Sequence, residues 1–164
     1  MVLQTLAASL LVIMAAGPSG AVTLGAGDPA PGFALKDIDG GQVTLDQFRG
    51  KTVLIAFWST WCSRCEEELA FLRDTFGGRT DVAVILVNQD SERKVATSRV
   101  RKIRDKLGIR FPVVVDEGLA LWDVYGINAL PTSIVIGTNG QIKHVEPNFY
   151  WGSPDNLLDA VGRS

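Results

Sequence analysis

Histidine occurs once and cysteine twice in these 164 residues, and the two scarcities together narrow the chemistry before any motif is read. A disulfide-stapled scaffold carries four or more cysteines along a shorter chain, so that class is excluded. Structural zinc normally takes four protein ligands, and Cys62, Cys65 and His144 do not supply them without carboxylates. No metal site is expected, and a redox pair is the reading left for the cysteines. Basic clustering is also missing. The net charge is −2, and the most basic stretch, residues 99–104, is mixed with apolar side chains. A nucleic-acid partner needs a clustered cationic face and is therefore not expected. With 46% hydrophobic and 21% charged residues, the composition is that of an ordinary globular protein. The length suits one domain with a real core.

The first 27 residues carry no charged side chain. Residues 6–16 are apolar apart from Ser9, Gly17-Pro18 breaks the run, and Ser19-Gly20-Ala21 offers small residues for cleavage. This is the layout of a signal peptide over residues 1–21, shorter than the roughly 20 apolar residues of a membrane span. The segment has no Lys or Arg at its start, so the alternative is an uncleaved anchor that tethers the protein to a membrane. No cysteine lies near it, which excludes a lipid anchor. Both readings place the protein in a periplasmic or other extracytoplasmic compartment, where disulfides persist.

After a flexible linker over residues 22–32, Phe33-Ala34-Leu35 and Gln42-Val43-Thr44-Leu45 flank Asp39-Gly40-Gly41, a β-hairpin signal. Residues 52–58 are a nearly unbroken apolar run suited to a central strand buried on both faces. A helix is predicted over residues 65–76, a strand over 82–87, and a long polar helix over 91–107 with Ser91 as its cap. A strand over 111–115 and a short helix over 117–125 follow. Residues 133–136 and 141–145 form a hairpin around Thr138-Asn139-Gly140. Ser153 and Pro154 open the last helix, the first as N-cap and the second at the first helical position. Strands alternating with helices, then a closing hairpin and helix, describe an α/β fold with a mixed central sheet flanked by helices.

Cys62-Ser63-Arg64-Cys65 follows the central strand and opens a helix. Amide N–H groups and the positive end of the helix dipole then face the first sulfur. They favour its thiolate, the nucleophile of disulfide exchange, and lower the pKa from about 8.5 to roughly 3.5–7.5 in such motifs. Cys62 is the predicted attacking residue. Cys65, one turn inside the helix, is the predicted resolving residue.

Phe57-Trp58-Ser59-Thr60-Trp61-Cys62-Ser63-Arg64-Cys65-Glu66-Glu67-Glu68-Leu69 resembles the active-site segment of the TlpA/ResA-like thioredoxins. Asp28-Pro29-Ala30-Pro31-Gly32-Phe33 is similar to that family's N-terminal hairpin region. Val124-Tyr125-Gly126-Ile127-Asn128-Ala129-Leu130-Pro131-Thr132-Ser133 is similar to its cis-proline loop. The resemblance implies a thioredoxin fold with an N-terminal β-hairpin extension, occupying residues 33–164. It implies a thiol–disulfide oxidoreductase that needs no cofactor beyond the redox-active Cys62–Cys65 disulfide. Its expected partners are disulfide-bearing exported proteins, as in cytochrome c maturation, and an upstream membrane thiol reductant. By the same resemblance Pro131 is the cis-proline, and Leu130 presents its backbone to the substrate.

Glu68, three residues past Cys65 and so on the same helix face, becomes the acid that tunes the thiols. Thioredoxins proper bury an Asp where Ala56 stands, so another proton acceptor is needed for Cys65. Glu66 and Glu67 need only the helix dipole to explain them. Trp61 is expected to be exposed on the substrate surface, Trp58 to lie in the core, and His144 to be a surface residue without a role. Two departures stand out: Arg64 replaces the usual Pro before the second cysteine, and Ala70 replaces the Pro after the glutamate. Arg64 favours the thiolate and a more oxidising pair.

Two further readings compete. A thiol peroxidase wants Ser or Thr three residues before its cysteine, which Ser59 satisfies, and Pro four residues earlier, where Ile55 stands. A Cu(I) metallochaperone would use the two soft sulfurs as ligands.

Overall fold

In the computed structural model, residues 23–90 and 93–162 are described. The expected signal peptide and the expected Ser91 cap lie outside them. The apolar run of residues 52–58 does form the central strand, β3 (Thr52–Trp58), because β-branched and aromatic side chains fill both of its faces. Two shorter strands, β1 (Ala34–Lys36) and β2 (Gln42–Thr44), form the N-terminal hairpin, with Gly40 taking the left-handed φ of 97° that its turn needs.

Along the rest of the chain come α1 (Ser63–Phe76), β4 (Val82–Asn88), α2 (Arg93–Leu107), β5 (Val113–Val115), α3 (Ala120–Val124), β6 (Thr132–Ile136), β7 (Ile142–Pro147) and α4 (Ser153–Val161). The five-stranded sheet runs β5-β4-β3-β6-β7. β3 is parallel to β4 and antiparallel to β6, and β6 is antiparallel to β7. This is a thioredoxin fold: a mixed sheet flanked by helices, with a hairpin extension. α1, α2 and α4 pack an apolar cluster on one face of the sheet. α3 and the N-terminal hairpin pack a second cluster on the other. Among the described residues no helix is long and apolar enough to cross a membrane.

Several expectations change at their edges. Residues 23–32 are not a free linker: Gly27 and Ala30 donate backbone hydrogen bonds to Ile142 and Gly140, and Ile142 donates to Asp28. The helix expected over 117–125 breaks because Gly118 and Leu119 take positive φ of 78° and 59°. The buried Asp116 carboxylate then caps α3, accepting the N–H groups of Leu121 and Trp122. The N-cap of α4 is Gly152, with Pro154 in its first turn. Ser153, expected in that role, is buried, and its hydroxyl is given to Glu146 at 2.8 Å. β7 runs past its expected end at residue 145 and carries Glu146 into the sheet opposite Ser133.

Candidate active site

The C-terminal end of β3 delivers the chain to the cysteines. Trp58 is buried at the strand's end, as its apolar context required. The next turn is pinned by a residue that the sequence reading passed over, the buried Asp90 just after β4. Its carboxylate accepts the Thr60 amide at 3.0 Å and the Thr60 hydroxyl at 2.5 Å. Trp61 follows and is 74% exposed, which fits a surface role.

Helix α1 begins two residues earlier than expected, with Cys62 as its N-cap in an extended conformation. That places the first sulfur at the positive end of the helix dipole. Cys62 and Cys65 are joined in a disulfide with their Cα atoms 5.3 Å apart. The two sulfurs differ in access: Cys62 is half-buried, whereas Cys65 is wholly buried against Leu69 and Leu72. Arg64, between them, is exposed. With Glu67 it borders a shallow groove walled by Phe149, Tyr150, Trp151 and Pro154.

One turn farther along α1, Glu68 is completely buried. Burial pushes its carboxyl up to about 8. The hydrogen bond from the Ser133 hydroxyl to Oε1, 2.9 Å, works against that rise, and the charge of Glu146 adds to it. Oε2 makes no hydrogen bond with a described residue. The neighbouring glutamates behave differently: Glu66 pairs with Lys106 at 2.6 Å across to α2, and Glu67 is exposed. In this disulfide-bonded state the Glu68 carboxyl, with a pKa of about 8, holds a proton at neutral pH, and that value lies close to the about 8.5 of a free thiol. A proton can therefore pass between Glu68 and a nearby cysteine with little driving force either way.

The Leu130–Pro131 peptide is cis and leads directly into β6. β6 pairs with the outgoing end of β3, Phe57 opposite Thr132. Topology thus brings the proline loop to the same end of the sheet as the cysteines. Pro131 is buried and its carbonyl accepts the Asn148 amide at 2.7 Å; Leu130 is half-buried against the apolar clusters of both faces. His144, expected on the surface, is half-buried, and its Nε2 lies 2.6 Å from Glu146. Three residues at or beneath the site were therefore missed: Asp90, Ser133 and Glu146. Ser133 stood in the proline-loop motif but signalled only a strand. Among the described residues no group of three or more His, Cys, Asp or Glu side chains could hold a metal ion.

The AhpC/TSA family model matches residues 26–145. The thiol-disulfide oxidoreductase ResA of Halalkalibacterium halodurans is 35% identical over 120 residues, covering 73% of this chain and 67% of that protein. ResA of Geobacillus thermodenitrificans is 34% identical over 121 residues, with the same coverage. Among solved structures, one assigned as a thiol:disulfide interchange protein DsbE from Chlorobium tepidum superposes with a TM-score of 0.76 at 27% identity. It covers 85% of this chain and 100% of that one. The exposed lipoprotein thioredoxin Etrx1 of Streptococcus pneumoniae gives 0.65 at 27% identity, covering 80% and 98%.

Proposed function

This chain belongs to the AhpC/TSA family, among its ResA-like thiol–disulfide oxidoreductases, and on that footing we propose that it reduces disulfides of exported proteins with a Cys62/Cys65 dithiol. It is a protein-disulfide oxidoreductase of thioredoxin fold. The observation that carries the proposed roles is the unequal exposure of two bonded sulfurs at the start of one helix.

In the reduced protein the Cys62 thiolate attacks one sulfur of the substrate disulfide. A mixed disulfide forms, and the other substrate sulfur leaves as a thiolate that takes a proton from solvent. Cys65 then gives its proton to the Glu68 carboxylate and attacks Cys62, releasing the second substrate thiolate, which is protonated in turn. The substrate gains two electrons and two protons, and the protein is left as the disulfide with the Cys65 proton on Glu68. A dithiol partner, expected in the membrane, returns the electrons. Trp61 and Leu130 form the substrate-binding surface beside Cys62, and the buried cis Pro131 shapes the loop that presents it. An extracytoplasmic or periplasmic location and a role in cytochrome c maturation complete the proposal. No observation favours the competing readings: Ser59 is buried with its hydroxyl making no hydrogen bond to a described residue, and His144 is engaged with Glu146.

Purified protein should reduce a model protein disulfide. Cys62→Ser should abolish that activity, and Cys65→Ser should accumulate the mixed disulfide, detected by mass spectrometry. Full activity in Cys62→Ser would overturn the mechanism. The midpoint potential tests the direction: a value near the about −120 mV of a strong oxidant would make the protein a disulfide donor instead.

A further inference from the structure

One buried acid has no part in the reaction just given. Glu146 lies on β7, 3% exposed, and faces Ser133 directly in the β6–β7 register. Opposed residues of an antiparallel pair project on the same face with Cβ atoms about 5 Å apart. Ser133 is in turn opposite Ala56 of β3, on the face that α1 covers. Its hydroxyl is the one given to Glu68. Two buried carboxyl groups therefore flank a single serine.

Their surroundings are unequal. Glu68 receives one hydrogen bond, from Ser133. Glu146 receives two, Ser153 Oγ on Oε1 at 2.8 Å and Asn156 Nδ2 on Oε2 at 3.1 Å, and His144 Nε2 lies 2.6 Å from Oε2. A buried negative charge is tolerated where donors surround it, and two adjacent carboxylates do not both ionise readily. The donors sort the pair: Glu146 takes the charge, Glu68 the proton.

We propose that Glu146 is a positioning residue of the redox centre, its charge holding a proton on Glu68 for return to Cys65 when the disulfide is opened. The inference rests on the oxidoreductase reading. On re-reduction, an incoming dithiol attacks Cys62, the Cys62–Cys65 bond breaks, and Cys65 leaves as a thiolate that takes the Glu68 proton. The second incoming sulfur then attacks the first in the mixed disulfide, both incoming thiols having lost their protons to solvent, and Cys62 is released as a thiolate. The ionisable groups around the pair are few. Cys65 and Glu68 come from α1 and His144 from β7. Tyr150, before α4, is one bond removed, its hydroxyl accepting from Asn156 at 3.0 Å. The β3 and β6 residues opposite, Ala56 and Ser133, do not titrate. Arg64, Glu67, Lys143, Asp155 and Asp159 are exposed, and Glu66 is half-buried in its pair with Lys106.

The test is direct titration of Glu68 in the oxidised protein by NMR of ¹³C-labelled glutamate carboxyl carbons, the signal assigned with Glu68→Gln. Glu146→Gln should lower the Glu68 midpoint by about one pH unit. Glu146→Asp, which keeps the charge, should bring it back toward the wild-type value. The pH at which mixed-disulfide resolution is half-maximal should fall with it. An unchanged or raised midpoint in a folded Glu146→Gln protein overturns the proposal. Should that variant not fold, the wild-type protein decides: the Glu146 carbon must register a step at the Glu68 midpoint, and its absence overturns the coupling. A protein that shows the shift but reduces no disulfide overturns the assigned reaction and leaves the coupling intact.

Discussion

The two faces of the five-stranded sheet are built from the same strands and do different work. Beneath α3 and the N-terminal hairpin, Phe57, Ile55, Ile85, Val87 and Ile134 pack an apolar cluster, and the polar groups at its edge serve the backbone: Tyr125 gives its hydroxyl to the Pro31 carbonyl, and the Asp116 carboxylate caps α3. Beneath α1 and α4, the apolar cluster is interrupted by Glu68, Ser133, Glu146 and Ser153, all buried. Burial of apolar area supports the fold on the first face, and every methylene there counts toward stability. On the second face part of that support is given up. Buried carboxyl groups cost free energy, and what they return in the proposed mechanism is a proton acceptor matched to a thiol.

Separating the faces by mutation should separate stability from its pH dependence. The largest effect is expected from Glu68→Gln. Folded Glu68 keeps its proton up to about pH 8, whereas unfolded it does so only to about 4.5. Between these values the folded state binds the extra proton, so stability is full below pH 4.5 and is lost as pH rises through 8. Across that window the loss approaches about 5 kcal/mol as an upper bound. Urea unfolding of the oxidised protein at several pH values should show this slope in the wild type and a much flatter one in Glu68→Gln. Equal slopes would mean that Glu68 does not carry the proton.

On the opposite face, Phe57→Ala should cost about 3–5 kcal/mol at every pH, because a wholly buried ring leaves a cavity. The pH profile of exchange by the remaining folded protein should not move. A shifted profile would show that the two faces are not independent. A smaller effect is expected from Asp90→Ala, which frees the Thr60 amide and hydroxyl in the turn before Cys62. It should cost about 1–3 kcal/mol and slow the first attack on substrate more than the resolving step. Stopped-flow kinetics that show both steps slowed equally would assign Asp90 to the fold alone.

Much of this arrangement is legible in the residues themselves. An apolar run flanked by turn residues has few ways to satisfy its backbone except as a buried strand, so β3 and β4 could be read directly. The cysteine spacing and the strand before it fixed the redox pair. The same local context separated the exposed Trp61 from the buried Trp58. Glu68 could be suspected because helical periodicity is a local rule. Glu146 could not. A glutamate followed by proline at the end of a strand reads as the start of a loop, and nothing nearby in the chain reveals that Ser133 lies opposite. The same holds for Asp90, whose partner Thr60 is 30 residues away, and for Gly27, Asp28 and Ala30, whose backbone groups bond to Ile142 of β7 and to Gly140 in the turn before it.

What the chain determined alone was the set of elements and the identity of the reactive sulfurs, since propensity, periodicity and the helix dipole act over a few residues. Tertiary structure decided how protons are held around those sulfurs. Charge in a low-dielectric interior responds to whatever the sheet register and helix packing bring within a few ångströms, and those neighbours are distant in sequence.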